Sequence, residues 1–548
     1  MDRRAFLRRA ARPAAPSLTL TGPGQALADP DFEYLPGRFV DPRLPIDWAH
    51  RAARPDPNAP PRTGEALRTG GGLASYVPSA EAPWDAARAR HLLRRTGLAP
   101  TVAETDTVLG STPQAAVDAI VDAALSAPLP PTPAWYDAAF PDPNATDQEI
   151  QEYIDNNVGW LYAYKHEINR DLLVWRVAGT GLRERLALFW HNHFVTALDS
   201  YFHAPWLARY WGLLRTHALG DLQPFVHAMG LSPAMLIYLN GIENRIGAPN
   251  ENYARELLEL FTMGITDPNG QPNYTQTDIE ELARALTGWT IDVYGTQEAY
   301  FVAPWHDAGE KTILGQTGNW SYDDIVPILF GQRPTEIAHF VCRELYQEFV
   351  YPIPNEAVVA EMAALLVAND FVVEPVVRTL LKSVHFFDAA TIGARVKSPV
   401  ELFYGVTKAL GFQEEGELLN ILNYFTDTTG QIVLDPPNVS GWDGHRAWID
   451  TGTLAFRWLY CEWLLYQQAT LQPLAMTMPA PFDAAALTAD LASYLTSVPL
   501  NQEEVDRLVE VLLDGLPSYE WNPFDPGAEG RLFGLVLALL RLPEAQLA

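Results

Sequence analysis

From residue 84 onward, apolar positions recur at spacings of three and four, the repeat of an α-helix that buries one face. The pattern predicts helices over 85–98, 113–125, 148–176 and 181–195, and again over 224–239, 250–263 and 277–287. It continues through 322–330, 335–349, 355–368 and 374–383, then 399–410, 416–424 and 453–468. Thr277, three residues before Glu280, has the spacing of a capping box at a helix start. Strand signals are confined to short pieces near 290–293 and 300–302. A Pro- and Met-containing connector over 472–482 leads to three closing helices at 483–497, 501–515 and 528–541. The expected fold is mainly α: a large multi-helix body over 84–470, few short strands, and a small C-terminal helical segment over 471–548.

The first 83 residues lack this period. Arg3, Arg4, Phe6, Leu7, Arg8 and Arg9 precede a modest apolar stretch that ends in Ala26, Leu27 and Ala28. That arrangement resembles a twin-arginine export signal over 1–28, although Pro16, Gly22, Pro23 and Gly24 interrupt its apolar part. The address expected from it is periplasmic or extracellular. Residues 29–83 are rich in Pro and Gly and are expected to form an extended lead-in.

Composition narrows the function classes. Thirty-eight Lys and Arg stand against 67 Asp and Glu in 548 residues, a formal charge of −29. Such a field repels phosphate backbones, which argues against nucleic-acid binding. No run of about eighteen uncharged apolar residues appears, so no membrane-spanning helix is expected. The two cysteines, Cys342 and Cys461, are too few and too isolated for a haem, zinc or iron–sulfur motif. They fit either one disulfide or two separately buried thiols. No phosphate-binding loop, nucleophile elbow or His-Glu-x-x-His sequence is present.

What chemistry the chain advertises lies in its middle, where His191 and His193 sit inside apolar helical sequence. Two positions apart on a helix differ by about 200°, so both face one ion only if the chain turns extended near Trp190. Otherwise His193 lies on the apolar stripe and His191 points away. In 250–261, Glu251, Arg255 and Glu259 form an i,i+4 ladder, while Glu256 falls at the edge of the apolar face and is the carboxylate best placed as ligand or general base. His306 and Asp307, followed by Gly309 and Lys311, suit either a site loop or a capped turn. Asp267, Asn269 and Gly270 have the wrong spacing for a calcium loop and are expected to form a β-turn. Asp435, Asn438, Trp442, Asp443 and His445 place aromatics beside carboxylates and amides, a combination that suits sugars.

Seven ordered motifs together resemble one family. They begin with His91-Leu92-Leu93-Arg94-Arg95-Thr96-Gly97, Phe189-Trp190-His191-Asn192-His193-Phe194 and Asn252-Tyr253-Ala254-Arg255-Glu256. Tyr274 to Asp278 running into Ala283 to Trp289, the His306–Lys311 segment, Val396-Lys397-Ser398-Pro399 and Pro436-Pro437-Asn438-Val439 with Gly441-Trp442 complete the set. The chain is similar over nearly its whole length to the DUF1800 proteins, a bacterial family of unknown function. It departs from their pattern at Asp443-Gly444-His445, where Pro and a second Gly are expected. The resemblance implies an exported, largely helical protein, often encoded beside a DUF1501-like (sulfatase- or phosphatase-like) protein. The leading expectation is a metal-assisted enzyme, hydrolytic or redox, with a divalent or transition metal on His191, His193 and His306 and with Glu256 and Asp307 as ligand or base. The alternative is a non-catalytic scaffold or binding protein for polysaccharide or for the DUF1501-like partner.

Overall fold

The computed structural model describes residues 72–174, 181–412, 416–467 and 470–548. The export signal and most of the lead-in therefore lie outside the described residues. Where the lead-in enters the described chain it is tied down: Tyr76 N–H donates to the Lys382 carbonyl at 2.8 Å, and the Tyr76 ring packs 4.7 Å from that of Phe387.

Among the described residues helices succeed one another from Ala86 to Arg541, as the apolar period predicts. The helices that position the site are α1 (Ala86–Thr96), α2 (Gly181–His193), α3 (Ala204–Thr216), α4 (Asn252–Glu259), α5 (Gln276–Ala285), α6 (Pro334–Phe349) and α7 (Pro399–Ala409). Two antiparallel pairs interrupt them: β1 (Trp289–Ile291) with β2 (Ala299–Phe301), and β3 (Lys311–Ile313) with β4 (Gln316–Gly318). The closing helices are Ala484–Leu495, Gln502–Leu513 and Ala528–Arg541. They are bound to α1, because the Arg94 guanidinium donates to the Tyr494 and Thr496 carbonyls at 2.9 Å each. No described helix is long and apolar enough to cross a membrane.

Two local expectations are corrected, and one helix is added. The capping box of α5 is made by Thr275 and Asp278, not by Thr277 and Glu280. The helix expected over 224–239 is two, Leu222–Gly230 and Pro233–Tyr238, because Pro233 has no N–H for a continuous ladder and pushes Ser232 out of helical geometry. The α3 helix was not predicted. Its sequence is apolar nearly all round, and burial of Trp206, Tyr210 and Trp211 shows why no polar face marks it. That helix packs on α2, and Trp190, Trp206 and Trp211 are wholly buried together in the core. Truncating any of them to Ala would cost about 3–5 kcal/mol.

Candidate functional site

The α2 helix stays helical through His193, so its two histidines diverge. His191, expected to point away from the core, is fully buried. Its Nε2 accepts the Leu434 N–H at 3.1 Å, and its Nδ1 lies 2.7 Å from the Tyr210 hydroxyl. Tyr210 in turn donates to the Phe194 carbonyl at 2.8 Å. That chain fixes the tautomer: Nδ1 carries the proton and Nε2 has spent its lone pair. Burial pushes the His191 pKa down to about 3, so the ring is neutral. The residue clasps the end of α2 to the 431–442 segment.

His193 faces the other way. Its Nδ1 meets Glu344 Oε2 at 2.6 Å and its Nε2 meets the Phe261 carbonyl at 3.1 Å. Both nitrogens are therefore engaged by protein groups. His306 sits on a different element, where Nδ1 donates to the Thr287 carbonyl at 3.0 Å. The three histidines thus have separate partners and do not converge.

The carboxylates expected beside them are also elsewhere. Asp307 accepts from Arg284 Nε at 2.8 Å and from the Gly309 N–H at 2.9 Å. The Arg284 guanidinium holds its carboxyl below the usual range. Lys311 gathers the carbonyls of Asp307, Gly309 and Trp320. The His306–Lys311 motif is accordingly a structural knot between α5 and β3. Glu256 is half-buried on α4 outside the cleft described below; burial first, and Glu259 second, raise its pKa. The ladder on the same helix forms, with Arg255 3.0 Å from Glu251 and 3.5 Å from Glu259. Among the described residues no group of three or more His, Cys, Asp or Glu is placed to hold a metal ion. His191, His193, His306, Glu256 and Asp307 form no such group. Cys342 and Cys461 are separate buried thiols, the latter pushed up to about 12 by burial.

The motifs meet instead at a cleft of about 570 Å³. The α2 helix supplies Arg185, Phe189, Asn192 and His193; α6 supplies Glu344, Gln347 and Glu348. Arg395, Val396 and Ser398 come from the chain leading into α7 and Glu401 from its first turn, and the segment from Ser440 to Trp448 closes the opposite side.

Its floor is a buried ionic square. Arg185 Nη2 lies 2.7 Å from Glu348 Oε1 and 2.6 Å from Glu401 Oε1, and Arg395 pairs with the same two carboxylates. The second oxygen of Glu401 caps α7 through the Ser398 N–H at 2.8 Å. Burial alone would raise the Glu401 pKa, but the two guanidiniums overcome it and hold the carboxyl well below its usual range. Arg185 reaches further, to the Gly97 carbonyl at 2.8 Å, and so ties the first motif to the floor.

The 440–448 wall is shaped by backbone. Trp442 N–H donates to Asn192 Oδ1 at 2.7 Å. Gly441 has φ +78, and a Cβ there would stand 2.2 Å from the same oxygen, so only glycine fits. Gly444 also has positive φ, and His445 takes φ +47, an uncommon conformation for a residue with a side chain. Burial and the neighbouring arginines push the His445 pKa down to about 4, leaving it neutral. The Trp442 and Trp448 rings stand 6.5 Å apart along this wall.

Sequence reasoning found His193, Trp442, Asp443 and His445 but missed Arg185, Glu344, Glu348, Arg395 and Glu401. Glu344 and Glu348 stand one turn apart on an amphipathic helix, a spacing that ordinarily marks a solvated face. No curated protein and no solved structure matches the chain. The model of the DUF1800 family, described as a protein of unknown function, matches residues 91–547, and the chain belongs to that family.

Proposed function

We propose that this protein is a saccharide-binding protein whose site is the cleft between α2, α6 and the 440–448 wall. The observation that carries the reading is convergence: segments near residues 98, 190, 345, 397 and 443, far apart in sequence, line one cavity of about 570 Å³. That volume lies within the range of roughly 300–1,000 Å³ typical of small-molecule sites. The lining combines aromatic rings (Phe189, Trp442, Trp448) with the amides of Asn192, Gln347 and Gln431. Carboxylates and hydroxyls complete it, the mixture that binds a ring with an apolar face and a hydroxyl rim.

Metal-assisted catalysis at His191, His193 and His306 is not carried forward, since two of these rings have both nitrogens committed to protein groups. The twin-arginine-type segment supports a periplasmic or extracellular location, where polysaccharide is available. A DUF1501-like protein is the partner that the family resemblance suggests. The test is calorimetric titration of the folded protein with a panel of oligosaccharides, beside the variant Ala447→Trp. Ala447 is exposed and lines the cleft, so an indole there obstructs the site without touching the core. Binding lost in the variant supports the reading; binding unchanged by it, or no binding to any saccharide, contradicts it.

A further inference from the structure

Four carboxylates line the cleft, and their hydrogen bonds sort them. Both oxygens of Glu401 are taken, one by Arg185 and Arg395 and the other by the Ser398 N–H. Both oxygens of Glu348 are taken by the same arginines. Asp443 is exposed within the 440–448 wall. Glu344 is different. Its Oε2 is held by His193 Nδ1 at 2.6 Å, while its Oε1 has no hydrogen-bond partner among the described residues, and its side chain is 32% exposed.

The His193 ring that holds it is fixed from behind by the Phe261 carbonyl at 3.1 Å. It is also wedged edge-on against Trp190 and Phe194, with centroids 5.3 and 4.4 Å away. A carboxylate anchored on one oxygen by an immobile ring presents the other at a fixed place, at little further entropic cost on binding.

We infer that Glu344 is the group through which the cleft selects its ligand: Oε1 accepts hydrogens from the hydroxyls of an uncharged sugar unit and repels a carboxylated one. The inference rests on the saccharide reading and deepens it. His193 is a positioning residue, acting only through Glu344. A uronate would bring a second carboxylate against Glu344 in a protein of net charge −29, and of the three arginines that line the cleft Arg185 and Arg395 are already paired. A hydroxyl donated to a fixed carboxylate is a charge-assisted bond, and losing one weakens binding roughly tenfold or more.

The experiment titrates wild type, Glu344→Gln, Glu344→Asp and Ala447→Trp with a neutral oligosaccharide and with its uronate counterpart, after thermal melts show that each variant is folded. Wild type is expected to bind the neutral compound and to bind the uronate roughly tenfold more weakly or worse. Glu344→Gln should weaken the neutral compound and strengthen the uronate, closing the gap from both sides. Glu344→Asp, which keeps the charge but withdraws the oxygen, should weaken the neutral compound and still reject the uronate. A merely structural role for Glu344 would move both ligands in one direction. If Glu344→Gln leaves both affinities unchanged while Ala447→Trp abolishes binding, the inference is overturned and the saccharide reading stands. If neither compound binds wild type, or Ala447→Trp changes nothing, the saccharide reading falls and takes the inference with it.

Discussion

His191 shows how one side chain changes meaning between sequence and structure. As part of His-x-His it has the pattern of a chelating pair, yet its ring is consumed by a hydroxyl 19 positions away and a backbone N–H 243 positions away. Replacing it with Phe keeps an aromatic ring, somewhat larger than imidazole, but leaves the Leu434 N–H buried without an acceptor, an expected loss of about 2–4 kcal/mol. Denaturant unfolding measures that loss, and saccharide affinity of the folded variant should change little. Gly441→Ala should cost more than ordinary positive-φ strain, roughly 2 kcal/mol or more, because the added methyl also collides with Asn192. Its signature is a lowered melting temperature together with weakened cleft binding, since Asn192 anchors the wall. Partners this distant in the chain explain why the motif was legible and its purpose was not.

At the scale of elements, most helices were legible because each buries a single apolar stripe, and the boundaries erred where a cap or a proline decided them. Thr275 and Asp278 share the cap of α5 with no cue that favours them over Thr277 and Glu280 in sequence. The α3 helix escaped notice for the opposite reason, having almost no polar face to contrast with its buried one. The ionic floor was illegible in principle: Arg185 and Glu401 lie 216 positions apart, and nothing local pairs them. Removing one member of a buried ionic set leaves its partners uncompensated. Glu401→Ala should therefore destabilise the protein by about 3–5 kcal/mol, whereas replacing an exposed pair such as Arg507 with Glu503 should cost less than about 1 kcal/mol. Comparable losses in the two variants would remove the floor from its place as the element that joins α1, α2, α6 and α7.

For the whole molecule, the buried histidines set the response to acid. Burial pushes His191 and His203 down to about 3 and holds His91 well below its ordinary value. His203 is neutral for the same structural reason as His191, with Tyr153 on one nitrogen and Gln297 on the other, at 2.6 and 2.7 Å. In the unfolded chain these rings take up protons below about pH 6.5, while in the folded protein His191 and His203 do not until about pH 3 and His91 is held well below its ordinary value. The stability they contribute is therefore complete above about pH 6.5 and is lost as pH falls from there, by about 1.4 kcal/mol per pH unit for each ring. Asp435, raised to about 6 by burial and by Asp199, opposes this between about pH 6 and its ordinary value. Two or three histidines outweigh one aspartate, so unfolding free energy should fall steadily between pH 6 and 4. A flat profile there would mean that the rings are not buried as described.

We propose above that the convergent motifs build a saccharide site. The most direct test is isothermal titration of oligosaccharides into wild type and Ala447→Trp, both stripped with chelator. Chelated wild type should bind saturably and the variant should not bind. Binding that disappears on chelation and returns with a metal ion, or that survives Ala447→Trp, would contradict it.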